Sequence, residues 1–563
     1  MDIIKKMIGE AEAYSSFDSI EKLVQEGDDL HYLPVQPLYV VLKTLSEANV
    51  GEVLPKFNLE QRTAFLDLDL WHKDQVDVES FEFWLRAYSF CKDDKILYQF
   101  AKSEEFSMYL KARFDISTFD VEDPSYPDND NFFLTDDNLL LVEFDEDYNH
   151  VEEMQKFIRI LYAEDGVENS YAHLFKIVSD SFLIYQEDEY QLKKSRLADL
   201  GMVDYFDALE MDNIFPNKEV MDNFIFKKKT QTANIDDEGK KQTLHLAALV
   251  AFKDKSMNAI QEELSKINDS KRFDYLNFNF MRLVNGTISL NNCLKDGSVA
   301  MTRIGNKTRN FLLLGFNYVR FFFGQKEDFL CEQGFFGRFD FIDFYKIGNT
   351  LIGDMRKKIK KALRDTPFEN SDCFLGGYWS NYLDDSFNDI VKIQKGRSKA
   401  VPVVEMNDFW LWSKKGKTLL SLIPFVTNFY NSFMDLQKEN RIQDSFYINY
   451  NVSDIDFESI ILSSLANFML GNYEGDKSGK MGISIDEYRK WATMIVDKNG
   501  EIIVTSKLID LLNRFSVKFG LDHSFKFTSY LQELLTEHVG GYKHDQVTDE
   551  DFKHIGGPII FFT

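Results

Sequence analysis

The chain is 563 residues long, with 44% hydrophobic and 28% charged residues. That globular composition excludes a disordered or fibrous protein and, at roughly 100–200 residues per domain, allows two to four domains. Ninety-two acids against 65 bases leave a formal charge of −27, so the field of the whole molecule repels phosphate and argues against a nucleic-acid or anionic-membrane role.

The N-terminal segment has no apolar stretch of signal-peptide length, and no later window offers about 18 uninterrupted apolar residues. The expectation is a cytoplasmic protein without a membrane span. Residues 1–113 read as an N-terminal array of short helices. Pro37 opens one that carries Leu38, Val41, Leu42 and Leu45 at helical spacing. Asn58 and Gln61 form a capping-box pattern for a second, through Phe65 and Leu68. Asp77 caps a third, bearing Phe81, Trp84 and Leu85. Helices this short are not stable alone and must stack.

Residues 114–211 read as an acidic segment followed by a helical bridge. The stretch 114–155 holds 14 acids and no Lys or Arg. Its first part, to Asn131, reads as a loop. A small β-hairpin near 132–144 follows, with apolar runs flanking Asp136, Asp137 and Asn138. From Val151 the helical period returns in Met154, Phe157, Ile158 and Leu161.

Residues 212–242, with Pro216 and the Lys227–Lys229 run, are polar and weakly periodic and read as a linker. Residues 243–563 read as a C-terminal helical region with apolar helices at 244–252, 311–323 and 350–363. A second hairpin is expected near 493–505 around Asp497–Gly500, and the final PIIFF reads as an edge strand. The predicted fold is mainly α, a multi-helix array with these two small β elements.

Two stretches carry a resemblance. The first holds Gln61, Leu66, Asp67, Leu68, Asp69, Trp71, Asp74, Trp84 and Leu85; the second holds Glu187, Glu189, Tyr190, Arg196, Leu197, Ala198, Asp199, Leu200, Gly201 and Ala208. Together with 461–472 they resemble a bacterial family catalogued as a domain of unknown function. The resemblance spans nearly the whole chain, brings no activity with it, and implies helix rather than a turn at Asn285-Gly286. Residues 36–90 are also similar, at the level of fold, to the helical cytoplasmic domain of magnesium transporters.

Each motif has a structural reading beside a functional one. Asp67, Asp69 and Trp71 alternate with leucine. They fit either a binding surface or a helix end where Leu66, Leu70 and Trp71 pack and the acids face solvent or cap the next turn; the second is expected. Arg196 and Asp199 are spaced to pair on one helix face, with Glu189 on nearly the same face and Gly201 placed as a C-cap. Carboxylates beside a guanidinium are a site ingredient, but an ion pair locking two helices is the expected role of Glu187, Glu189, Arg196 and Asp199.

The segment from Asp476 to Glu487 has calcium-loop spacing, yet Lys480 and Met481 stand where an oxygen ligand and a glycine are required. Ser484 and Glu487 are explained instead by a capping box. His538, His544 and His554 read as exposed tail residues rather than metal ligands. Arg356, Lys357, Lys360, Lys361 and Arg364 line one face of a helix whose other face holds Ile352, Met355, Ile359 and Leu363, a candidate docking stripe for an acidic partner. No nucleotide-binding loop, nucleophile elbow or kinase signature is present.

No catalytic residue, metal ligand or cofactor is therefore assigned. The expected function is a non-enzymatic cytoplasmic interaction or scaffold protein with an unidentified protein partner and no nucleic acid. The alternatives are a regulatory module sensing a ligand or a divalent cation through the 114–155 acids, and an enzyme with a site near Glu187, Glu189 and Arg196.

Overall fold

The structure is a computed structural model. It describes residues 30–562 apart from 32, 34, 180–181, 229–257, 325–333, 369–373, 396–397, 449–450, 474–481, 519–526, 542–543 and 545–558. The predicted helix at 244–252, the start of the calcium-like segment, and His554 lie outside the described residues. The chain divides into two compact units, Met1–Phe215 with Glu219–Ile347, and Pro216–Lys218 with Gly348–Thr563.

The first unit opens with α1 (Val35–Leu42), α2 (Glu47–Val53), α3 (Leu59–Asp69), α4 (Val78–Ser89), α5 (Asp94–Ala101) and α6 (Glu104–Arg113), with the two-residue strands β1 (Trp71–His72) and β2 (Gln75–Val76) between α3 and α4. These helices start where their caps dictate. Asn58 Oδ1 accepts from the Gln61 amide at 2.8 Å while Gln61 Oε1 accepts from the Asn58 amide at 3.1 Å, and Asp77 accepts from the Ser80 amide at 3.2 Å. They hold together through aromatic packing: Phe81 stacks on Tyr109 at 4.2 Å, and Tyr88 on Phe100 at 4.0 Å. Each such ring contact adds about 0.5–1.5 kcal/mol beyond the area it buries.

A three-stranded antiparallel sheet follows, β3 (Phe114–Thr118), β4 (Phe132–Leu134) and β5 (Leu140–Phe144), in the order β3-β5-β4. The hairpin near 132–144 is present as β4–β5. Residues 114–118, expected as loop, form a strand because Ile116 pairs with Val142 and buries Phe114 and Ile116 on alternate positions. Its partner lies too far along the chain for a local pattern to announce it.

Beyond the sheet come α7 (Val151–Ser179), α8 (Phe182–Asp199), α9 (Tyr205–Asp212) and α10 (Lys218–Lys228), then α11 (Asn258–Leu264), α12 (Ser270–Leu290), α13 (Gly297–Phe323) and the start of α14 (Phe341–Arg364). The described part of 212–242 contains α10 rather than a structureless linker, and all of it except Pro216–Lys218 belongs to the first unit. The division of the units falls instead within α14. Asn285 and Gly286 sit inside α12, both buried. A Cβ on Gly286 would stand 2.4 Å from Met211 Cε on α9, so any larger residue there makes the Met211 side chain shift.

In the second unit, the rest of α14 is followed by α15 (Gly377–Phe387), the two-residue strands β6 (Lys392–Ile393) and β7 (Val401–Pro402), α16 (Met406–Lys438), α17 (Phe457–Met469), α18 (Ile485–Ile495), α19 (Ser506–Lys518) and α20 (Phe527–His538). Trp379, Trp412, Trp491 and Tyr488 are its largest fully buried side chains. The Ser484–Glu487 capping box opens α18. The second expected hairpin contracts to one antiparallel bridge, Val496 with Ile502. α18 runs to Ile495, and Ile503 and Val504 are 40% and 50% exposed, so no apolar face is buried that would hold a longer ladder. Among the described residues, no helix is long and apolar enough to cross a membrane.

Candidate functional site

The two sequence motifs converge in the first unit. The Arg196 guanidinium on α8 grips Asp67 on α3 with two parallel bonds, Nε to Oδ2 at 2.8 Å and Nη2 to Oδ1 at 2.7 Å. The same Nη2 reaches Glu189 Oε1 at 2.5 Å and Glu105 Oε1, on α6, at 3.3 Å. The carboxylate side chains of Asp67, Glu105 and Glu189 are nearly sealed from solvent, while Arg196 is 34% exposed. Their oxygens lie within 4.8 Å of one another, close enough to share a cation; that role is filled by the guanidinium.

Burial raises the Asp67 carboxyl, against the pull of Arg196, and does the same to Glu189. Glu105 is pushed up to about 8 by burial and by the charges of Asp67 and Glu189. Burial opposes the charge on Arg196, but its bonds to Asp67 and Glu189 outweigh that and hold it protonated. One cation thus faces three acids, each of which burial pushes toward its protonated form, Glu105 furthest up at about 8.

The other motif residues go elsewhere. Asp69 is buried in a separate network with Tyr39, Trp84 and Lys43, so neither aspartate faces solvent as expected. Trp71 packs against Tyr190, ring centroids 5.9 Å apart. Arg196 does not turn to Asp199, which is exposed; Glu187 is exposed too and accepts from Gln191 at 2.9 Å. Gly201 caps α8 with φ 73°: its own amide bonds Ala198 O at 2.9 Å and the Met202 amide bonds Leu197 O at 2.8 Å, which closes a Schellman motif. Sequence reasoning missed Glu105, which carries no motif and meets Arg196 across 91 residues.

Because Glu105 binds its proton more tightly when folded, its stabilising contribution is complete below the ordinary carboxyl pKa of 4.5 and is lost as pH rises through about 8. Glu105→Gln imitates the protonated acid. Between pH 6 and pH 9 its stability relative to the parent is expected to rise by at least about 1 kcal/mol, at 1.36 kcal/mol per pH unit of linked titration. Urea midpoints at the two pH values check this; an unchanged difference would mean that folding does not shift the Glu105 titration into this range.

The second unit holds a cavity of about 510 Å³. Tyr378, Asn381 and Asp385 of α15 line it, with Lys392 of β6, Lys414 and Lys415 of α16, and Gln532, Glu533, Thr536 and Glu537 of α20. Lys415 lies 3.3 Å from Glu533 and 4.5 Å above the Tyr378 ring, and the Tyr378 hydroxyl donates to the same Glu533. Beneath this, the Tyr378 amide donates to buried Glu458 at 2.6 Å, with His538 Nε2 3.5 Å from Glu458. Burial opposes a charge on His538, but Glu458 outweighs it and raises the imidazole pKa. His538 and His544 are therefore not exposed tail residues: the first is tied to Glu458 and the second is buried, its Nε2 2.9 Å from Val539 O.

On α14, Lys357, Lys358, Lys360, Lys361 and Arg364 are exposed while Ile352, Met355 and Ile359 are buried. Arg356 turns away from that row to donate to Ser386 O at 2.6 Å and Asn388 O at 2.5 Å.

Residues 5–474 match the model of a family of unknown function. The chain belongs to that family, DUF6178. No curated protein and no solved structure matches the chain. The DUF6178 match takes in Asp67, Glu105, Glu189 and Arg196, so the whole guanidinium cluster lies within it. Of the cavity, the α15, β6 and α16 walls lie inside the DUF6178 span and the α20 wall lies beyond it.

Proposed function

We propose that the protein is a non-enzymatic cytoplasmic binding protein whose second unit takes up a small polar ligand. The observation that carries this reading is the cavity of about 510 Å³, within the roughly 300–1,000 Å³ typical of small-molecule sites, with side chains of both charges converging on it. The Arg196 cluster supports a structural role beside it. Each of its carboxyls is turned to one guanidinium and is nearly sealed from solvent.

The test is a thermal-shift screen of small polar compounds against the chain and against Asn381→Trp, which fills the cavity from an exposed lining position. At a ligand concentration of about 100 times Kd, stabilisation of about 2.7 kcal/mol is expected in the parent and none in the variant. Equal shifts in both proteins, or no shift with any compound, would end the reading.

The exposed row on α14 favours a second reading, docking of an acidic protein partner in a scaffold role. Against a chain of net charge −27, five exposed cations on one helix are a local inversion of the field. Polyglutamate should bind the parent at low salt and lose most of its affinity when Lys357, Lys360, Lys361 and Arg364 are changed to glutamine. Unaltered binding by that variant counts against it.

A further inference from the structure

The cavity's charges are not all spent. Lys415 and Glu533 neutralise each other. Among the described residues, Lys392 and Lys414 on the β6 and α16 side, and Glu537 on the α20 side, make no ion pair within 4 Å, although all three line the cavity. Asp385 on α15 is close enough to Lys392 for the lysine to draw its carboxyl pKa down, against the larger effect of burial. A purely anionic ligand would satisfy the lysines and set its charge against Asp385 and Glu537; a purely cationic one would satisfy those acids and set its charge against the lysines. Like charges brought together as water is expelled are costly, and that repulsion sets specificity as strongly as the attraction does.

Resting on the reading of this cavity as a ligand site, we infer that its ligand is dipolar with well-separated charges, a short peptide with a free carboxylate toward Lys392 and Lys414 and a free ammonium toward Glu537. The size fits this class. A volume of 510 Å³ is about 8 Å across if taken as a cube, and an extended dipeptide spans about 7 Å at 3.3–3.6 Å per residue. Gln532 on α20 supplies a neutral amide donor and acceptor for the peptide group between the ends.

The experiment is calorimetric titration of the full chain with Gly-Gln, with N-acetyl-Gly-Gln, which keeps only the carboxylate, and with Gly-Gln amide, which keeps only the ammonium. Gly-Gln is expected to bind, each capped form at least about tenfold more weakly, a difference of 1.4 kcal/mol. Lys392→Met with Lys414→Met should abolish the preference for the free peptide over the amide while leaving the preference over the acetyl form. Asn381→Trp should remove all binding. Capped forms that bind as tightly as Gly-Gln overturn the dipolar inference while the cavity reading stands. The same holds if none of the three binds yet another polar compound stabilises the parent and not Asn381→Trp. If no compound of any kind binds, both fall.

Discussion

Arg196→Met is expected to destabilise the first unit by about 3–5 kcal/mol, the range for removing one partner of a buried ion pair. The variant keeps most of the aliphatic stem and its packing, so the loss isolates the guanidinium. Without it, Asp67 and Glu189 face each other and Glu105 in a pocket where their side chains are at most 4% exposed. They must then take up protons or open the contact between α3, α6 and α8. Protonation offers partial relief, so the loss should be smaller at pH 5 than at pH 8. Adding Asp67→Asn and Glu189→Gln to Arg196→Met should recover much of the loss, since neutral amides at the same positions remove the repulsion; that non-additivity is what contact demands. Urea unfolding gives the magnitude, and hydrogen exchange of peptides from α3 and α8 localises it. A loss below about 1 kcal/mol, the size of an exposed surface pair, would mean that the carboxylates find water and that the cluster does not bind the helices together.

The local signals of the chain were legible because their physics is local. Asn58 with Gln61, Ser484 with Glu487, Asp77 and Gly201 each act within a few residues, and each does in the structure what its spacing predicts. Asp67 and Asp69 were misread for the opposite reason. Alternating aspartate and leucine looks like a solvated helix end, but α3 buries Gln61, Arg62, Asp67 and Asp69 along with its apolar residues. Polarity signals exposure only when no partner compensates the charge, and here the partners come from far away, Arg196 at a separation of 129 residues and Tyr39 at 30. Glu105 was invisible for the same reason. The cavity walls come from separate segments between Tyr378 and Glu537, and no linear pattern links them. The strand at 114–118 likewise depends on a pairing with 140–144.

Asp69 supplies the second large effect. Asp69→Ala is expected to cost about 3–5 kcal/mol, because each buried donor left unsatisfied costs about 1–3 kcal/mol and several are orphaned together. The carboxylate accepts from Tyr39 Oη at 2.8 Å, Trp84 Nε1 at 2.7 Å and Lys43 Nζ at 2.9 Å. Lys295 Nζ lies 3.6 Å from the same carboxylate and donates to the Asp69 carbonyl at 2.9 Å. Burial, and then the Asp69 charge, hold the Tyr39 phenol protonated and donating. Trp84 and Tyr39 are fully buried and can turn to no other partner without opening α1 or α4. Lys43 and Lys295 are 23% and 24% exposed and can swing to water, so the cost falls mainly on the two aromatic donors. Asp69→Asn preserves the shape and one acceptor oxygen, so it should cost roughly half as much: it can serve Tyr39 or Trp84 but presents an amide hydrogen to the other. Hydrogen exchange of the α1 and α4 peptides should report both variants in that order. If the asparagine variant is as damaged as the alanine one, the charge of Asp69 rather than its acceptor geometry is what ties α1, α3 and α4 together.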